Sequence, residues 1–177
     1  MIFTEADVAG AFILDAEPLS DERGLFARTW CRRELEDHGL DTDVAQCSTS
    51  FNARAGTLRG LHLQAAPFEE IKFVRCTSGA IHDVIVDLRP GSPTYLMHAA
   101  VQLTSENRRM VYIPKGVAHG FQTLVDRTEV AYQMSEFFSA DHARGVRWDD
   151  PAFGIEWPVG ERLMNERDRT YPDYVAG

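Results

Sequence analysis

Residues able to do acid/base chemistry stand in several short β-prone runs of the chain. In Arg59-Gly60-Leu61-His62-Leu63-Gln64, the two-residue period of a strand turns His62 and Gln64 to the face opposite Leu61 and Leu63. One face is then apolar and the other reactive, and an imidazole with an ordinary pKa of about 6.5 is suited to taking a proton near neutrality. Lys72 lies in Glu70-Ile71-Lys72-Phe73-Val74-Arg75, where an ammonium among hydrophobic neighbours must snorkel to water or face a polar cavity. Tyr132, in Val130-Ala131-Tyr132-Gln133-Met134, offers a phenol from a third run. Asp83 and Asp87 share the parity of Ile81 and Ile85, so a carboxylate pointing with the isoleucines needs a cationic or hydrogen-bonding partner.

The elements that must position these groups are mostly strands. Runs split by Gly, Pro and Asn cover residues 11–14, 24–30, 57–64, 71–76, 80–88, 96–103, 110–113, 120–124 and 129–138. So many closely spaced strands predict a sandwich or barrel, whose mouth or interior commonly holds a small molecule. One early helix is expected over Cys31 to Gly39, with Gly39 as its stop, and short helices near the C-terminus are weakly marked. Thr77-Ser78-Gly79, Arg89-Pro90-Gly91 and Pro114-Lys115-Gly116 read as turns or corners, the last one aiming His119. Strand parity places Arg59 away from His62, so a shared pocket requires a bulge or twist at Gly60.

The 177 residues, 44% of them hydrophobic, are expected to form a single unit over 1–177, with no repeat or linker. The formal charge of −9 argues against a nucleic-acid surface but leaves room for a small anionic ligand held by local arginines. Arg23, Arg59, Arg75, Arg89, Arg147 and Arg167 stand beside turns or in strands where a pocket could gather some of them. No run approaches the roughly 20 apolar residues needed to cross a bilayer, and the N-terminal stretch lacks a signal peptide's pattern. Three unpaired cysteines, Cys31, Cys47 and Cys76, suit a reducing compartment, and a cytoplasmic protein is expected.

Several motifs, in order, resemble the dTDP-4-dehydrorhamnose 3,5-epimerases over nearly the whole chain. They are Asp21-Glu22-Arg23-Gly24-Leu25-Phe26, Gly56 to Gln64, Lys72 to Arg75, Asp83 to Arg89, Ile113 to Phe121, and Arg144 to Pro151. The resemblance implies an all-β cupin jelly-roll barrel with a few short peripheral helices. It also implies a homodimer in which an N-terminal segment enters the partner's pocket, and a reaction using no metal and no redox cofactor. The substrate would be a nucleoside-diphosphate 4-keto-6-deoxyhexose.

Carried over by position, His62 looks like the base at C3, and at C5 in full family members, with Asp168 as its carboxylate partner and Tyr132 as the acid on the other face. Such chemistry requires a cation at the developing enolate oxygen, and Lys72 is the candidate. Arg23, Arg59 and His119 resemble residues that contact the sugar nucleotide, and Phe26, Arg28, Gln46, Ser48 and Arg167 stand at further positions expected to line the substrate site.

The chain departs from the family pattern where Arg28 replaces an acidic residue, Cys47-Ser48 replaces Asp-Asn, Ala143 replaces Glu, Arg167 replaces Lys, and Phe137-Phe138 replaces Tyr-Tyr. Retained catalytic types beside altered recognition residues imply epimerisation at C3 only, or a changed nucleotide. Two alternatives are weighed against this. A metal-dependent cupin oxygenase would need a second histidine one residue beyond the first, but His62-Leu63-Gln64 supplies one, and His82 and His98 are distant. A non-catalytic sugar-nucleotide binder would have no use for an acid and a base together. Trp30, Trp148 and Trp157 are expected in the core or an interface, and His38, His98 and His142 at the surface.

Overall fold

The structure, a computed structural model, describes residues 1–176; Gly177, the last residue of the expected unit, lies outside the described residues. The chain order is β1 (Ile2–Glu5), β2 (Phe12–Asp15), β3 (Leu19–Asp21), β4 (Gly24–Phe26), α1 (Arg32–Asp37), β5 (Gln46–Asn52), β6 (Leu58–Gln64), β7 (Lys72–Ser78), β8 (Ala80–Asp87), β9 (His98–Thr104), β10 (Met110–Ile113), β11 (Val117–Thr123), β12 (Thr128–Met134), β13 (Ala143–Gly145) and α2 (Glu166–Arg169). One sheet has the order β1-β2-β10-β7-β12-β5 and the facing sheet β13-β6-β11-β8-β9, with all their strand pairs antiparallel; β3 and β4 form a separate hairpin. This is the jelly-roll arrangement that the resemblance implies, within the sandwich or barrel that the strand spacing predicts.

Apolar alternation decides which faces meet. Val74, Cys76, Ile81, Ile85, Val111, Ile113, Phe121 and Val130 form one buried cluster, and Tyr132 packs against it. Outward faces are covered too. Leu58, Leu61, Val84 and Val86 pack under Phe153 and Trp157, whereas Leu14, Phe73, Met110 and Tyr112 pack under Leu35 of α1. β8 is consequently buried on both faces, which explains its nearly continuous hydrophobic run.

Four strands escape the sequence pattern: β1, β3, β5 and β13. The reason is clearest for β5, Gln-Cys-Ser-Thr-Ser-Phe-Asn, which has no apolar alternation because its Gln46, Ser48 and Ser50 line a polar cavity. The expected strand over 24–30 is confined to β4, and that over 129–138 ends at Met134. α1 is shorter than the expected 31–39 helix, and Gly39, at φ +69°, takes the left-handed conformation that ends it. Trp157 is buried and Trp148 and Trp30 pack on the clusters. His98 and His142 are partly buried instead of simply superficial, because His98 Nδ1 bonds the Phe153 carbonyl at 2.8 Å and His142 Nδ1 lies 2.8 Å from Ser139 Oγ.

The corner after β8 is organised by Asp87, whose side chain is fully buried. Its oxygens accept from Arg89 at 2.8 and 2.7 Å, Ser92 at 2.5 Å and Thr94 at 2.6 Å. Burial alone would raise this carboxyl, but the bonds from Arg89, Ser92 and Thr94 outweigh it and hold the group well below the usual carboxylate range. A depressed folded-state value means that its stabilisation is complete above the ordinary value of 3.8 and is lost as pH falls through the folded one. Asp87→Ala should cost about 3–5 kcal/mol of unfolding free energy near neutrality, read from urea titrations. The variant should also lose less stability than the parent on acidification.

Candidate active site

Between the sheets, beyond the apolar cluster, lies a cavity of about 480 Å³. The five-stranded sheet contributes Arg59 and His62 from β6 and His119 from β11, while the six-stranded sheet contributes Gln46, Ser48, Lys72 and Tyr132. The required irregularity at Gly60 is present. His62 pairs with His119 but Arg59 pairs with Phe121, a register shift that lets Arg59 and His62 reach the same cavity. Gly60 has φ +108°, and a Cβ there would stand 2.6 Å from both the Gly120 Cα and the His119 carbonyl oxygen. Only glycine permits this approach of β6 to β11.

His62 Nε2 lies 2.8 Å from Asp168 Oδ1, and the Gly60 N–H donates to Asp168 Oδ2 at 3.2 Å. The carboxylate is 1% exposed whereas the His62 side chain keeps 42% of its surface open. Burial would raise Asp168, but the hydrogen bond and charge of His62 and the Gly60 N–H together hold it below its ordinary value. Asp168 is therefore an anion that accepts from Nε2 and leaves Nδ1 as the ring's basic nitrogen. Its placement depends on Asn165, which caps α2 by accepting the Asp168 N–H at 2.7 Å.

Tyr132 stands on the opposite sheet. Burial, with the nearby Asp83 carboxylate adding and Arg59 opposing, pushes its phenol far above the ordinary range, so it carries its proton at neutral pH. Its ring packs edge-on to His119, with centroids 5.9 Å apart. His119 is buried, and its Nε2 lies 2.7 Å from Asp83 Oδ2. The two carboxylates that shared parity with isoleucines are thus both inward and both partnered, Asp83 by His119 and Asp87 by Arg89. Lys72 Nζ donates to the His62 carbonyl oxygen at 3.2 Å and pairs with Glu70 Oε1 at 3.0 Å.

Arg59 is the member of the arginine set that lines the cavity, its Nε fixed by Asn52 Oδ1 at 2.8 Å. Arg23 and Phe26 project on the β3–β4 hairpin, outside this cavity, with Arg23 bound to Asp21. Arg28 is an exposed partner of Glu34 at 2.7 Å, and Arg167 is exposed beside the Ala143 carbonyl and the Tyr171 ring. Gln64 leaves its neighbour's cavity, donating to the Phe68 carbonyl and Glu70 Oε2, each at 2.9 Å. Sequence reasoning missed Glu70, Ser50 and Asn165 on the cavity wall, which also carries Phe138, one of the two phenylalanines that stand in place of the family's Tyr-Tyr. Only Glu70 carried a signal, since it shares strand parity with Lys72. Among the described residues no cluster of three or more His, Cys, Asp or Glu side chains has metal-holding geometry.

Residues 5–175 match the profile described as dTDP-4-dehydrorhamnose 3,5-epimerase. The chain is 40% identical over 173 residues to the dTDP-4-dehydrorhamnose 3,5-epimerase of Sinorhizobium fredii, covering 97% of this chain and 89% of that protein. The crystal structure of the Bacillus anthracis dTDP-4-dehydrorhamnose 3,5-epimerase with TDP and PPi bound superposes with a TM-score of 0.94, at 39% identity, covering 98% of this chain and 99% of that one. ChmJ, a 3'-monoepimerase from Streptomyces bikiniensis in complex with dTDP-quinovose, gives 0.87 at 32% identity, covering 94% of this chain and 84% of that one. With its jelly roll, its facing histidine and tyrosine and this likeness along its length, the chain belongs to the dTDP-4-dehydrorhamnose 3,5-epimerase family.

Proposed function

We propose that the protein inverts C3 of a dTDP-linked 4-keto-6-deoxyhexose through an enolate, as a step in deoxysugar biosynthesis. The observation that carries this reading is that His62 and Tyr132 reach one cavity from facing sheets, with the Lys72 ammonium between the same walls. His62 Nδ1 takes the C3 proton, and the C–H electron pair moves into the C3–C4 bond while the C4 oxygen takes up negative charge. Lys72 stabilises that oxygen. Tyr132 then gives its proton to C3 from the opposite face, and the imidazolium and phenolate are reset by proton exchange with solvent. Acid and base catalysis each contribute typically about 10²- to 10⁴-fold.

Arg59, Gln46, Ser48 and His119 are assigned to the sugar nucleotide, the guanidinium suiting diphosphate oxygens. Phe138 stands on the cavity wall with no hydroxyl to steady a turned ring, which supports inversion at C3 without C5. The pocket is completed by a second copy of the chain, whose β3–β4 hairpin brings Arg23 and Phe26. In support, the Arg23 side chain is 84% exposed and Phe26 is 75% exposed within one chain. Arg28 and Arg167 are assigned to outer contacts with the bound molecule. The whole chain acts as one domain in the cytoplasm, a setting that fits three free cysteines and the absence of any described helix long and apolar enough to cross a membrane.

With dTDP-4-keto-6-deoxyglucose in deuterated water, NMR should show deuterium entering C3 and not C5, and His62→Ala should bind the sugar nucleotide without exchange. Equal exchange at both carbons contradicts the C3-only assignment; no exchange by the parent protein contradicts the enzyme. For subunit sharing, equimolar His62→Ala and Arg23→Ala proteins, each inactive alone, should regain about a quarter of parental activity after mixing, because one of the two sites in a mixed dimer is intact. Failure to recover activity, with mixed dimers demonstrated, contradicts a shared pocket.

A further inference from the structure

Acid/base exchange at His62 and Tyr132 leaves one charged group of the cavity wall without a task. Glu70 is 8% exposed and its Oε1 lies 3.0 Å from Lys72 Nζ, itself on a side chain 10% exposed. An exposed ion pair contributes little, whereas a desolvated one enforces geometry, since breaking it leaves a buried charge without a partner.

The geometry around Nζ gives this pair a use. An ammonium has three N–H donors and no acceptor. Glu70 Oε1 pairs with it at 3.0 Å, and the His62 carbonyl oxygen, at 3.2 Å, accepts one of its N–H groups. Held between a carboxylate and a carbonyl, the ammonium keeps an N–H for the cavity Lys72 lines. Glu70 is itself anchored, because Gln64 Nε2 donates to its Oε2 at 2.9 Å and Gln64 Oε1 accepts the Ser139 N–H at 2.6 Å. The chain of contacts thus runs from the segment after β12 through Gln64 and Glu70 to the ammonium. The His62 carbonyl ties the same ammonium to the strand that carries the base.

We propose that Glu70 is a positioning residue that locks the Lys72 ammonium so that its remaining N–H points at the substrate's ketone oxygen, where enolate charge develops. This rests on the assignment of Lys72 to that oxygen. A donor prearranged at developing charge acts chiefly on the chemical step, because the substrate's neutral carbonyl profits less from it than the enolate does. A free ammonium on a four-carbon stem would have to be ordered in every turnover.

The test compares the parent protein with Glu70→Gln, which keeps the shape and an acceptor for Gln64 but removes the charge. C3 exchange should lose about 10- to 100-fold in kcat with KM changed less than about threefold. Glu70→Asp, which keeps the charge on a shorter stem, should recover part of the loss. A second readout needs no substrate. Lys72 and Lys115 are the only lysines in the chain, so labelling with 15N-lysine yields two ammonium signals, and Lys72→Arg identifies one. The pinned Lys72 ammonium should exchange slowly with water and give a 1H–15N correlation near neutral pH that Glu70→Gln abolishes. An unchanged kcat in the folded variant, or a correlation that persists in it, overturns the proposal. Should the parent fail to exchange C3, the assigned reaction falls, and the ammonium signal still decides whether Glu70 holds Lys72.

Discussion

The gap between two antiparallel sheets is the constraint on which the rest of this structure depends. Facing sheets pack about 10 Å apart, a space that side chains must fill or a ligand must occupy. Toward one part of the interior, Ile81, Ile85, Val111, Phe121 and Val130 fill it. Elsewhere the inward positions become Ser48, Arg59, His62, Lys72 and Tyr132, and the gap stays open. A sugar ring held there meets different sheets on its two faces, which is the arrangement an inversion needs. Neither sheet alone could provide an acid and a base on opposite sides.

Holding so many ionisable groups in a partly dry space requires that each be partnered. Asp168 is balanced by His62 and the Gly60 N–H, Asp83 by His119, and Glu70 by Lys72. These pairs divide the labour. Asp168 stays anionic and orients an imidazole that remains open to the cavity, while the His119–Asp83 pair is closed off from water and stiffens the wall against which Tyr132 rests. Two polypeptide details make this possible. The Gly60 approach to Gly120 shifts the register so that Arg59 joins His62, and the Asn165 cap holds Asp168 under β6.

Much of this was legible in the residues. The central strands read out because their inward and outward faces are apolar, as in β8, and the need for a bulge at Gly60 followed from the parity of Arg59 and His62 once family likeness put both at one site. The pairing need of Asp83 and Asp87 followed from their phase with isoleucine, though not the identity of His119 and Arg89 as partners, which sit on another strand and past a corner. β5 was illegible because a strand that lines a polar cavity loses the alternation that marks strands. Glu70 is not singled out by its sequence, because a carboxylate two residues before a lysine looks the same at a solvated edge as in a cavity wall. The Asp168–His62 contact spans 106 residues, and its expectation came from family likeness, since no local pattern encodes it.

The central claim is that the two faces of the ring are served by different residues on different sheets. It is tested most directly with Tyr132→Phe, by following in one NMR experiment both the loss of the C3 hydrogen to deuterated water and the configuration of the product. Removing the acid while sparing the base should leave C3 exchange within about tenfold of the parent, by return of deuterium to the original face, and slow inversion by about 10²-fold or more. Inversion at the parental rate, or loss of exchange as complete as the loss of inversion, would contradict the division of roles between His62 and Tyr132.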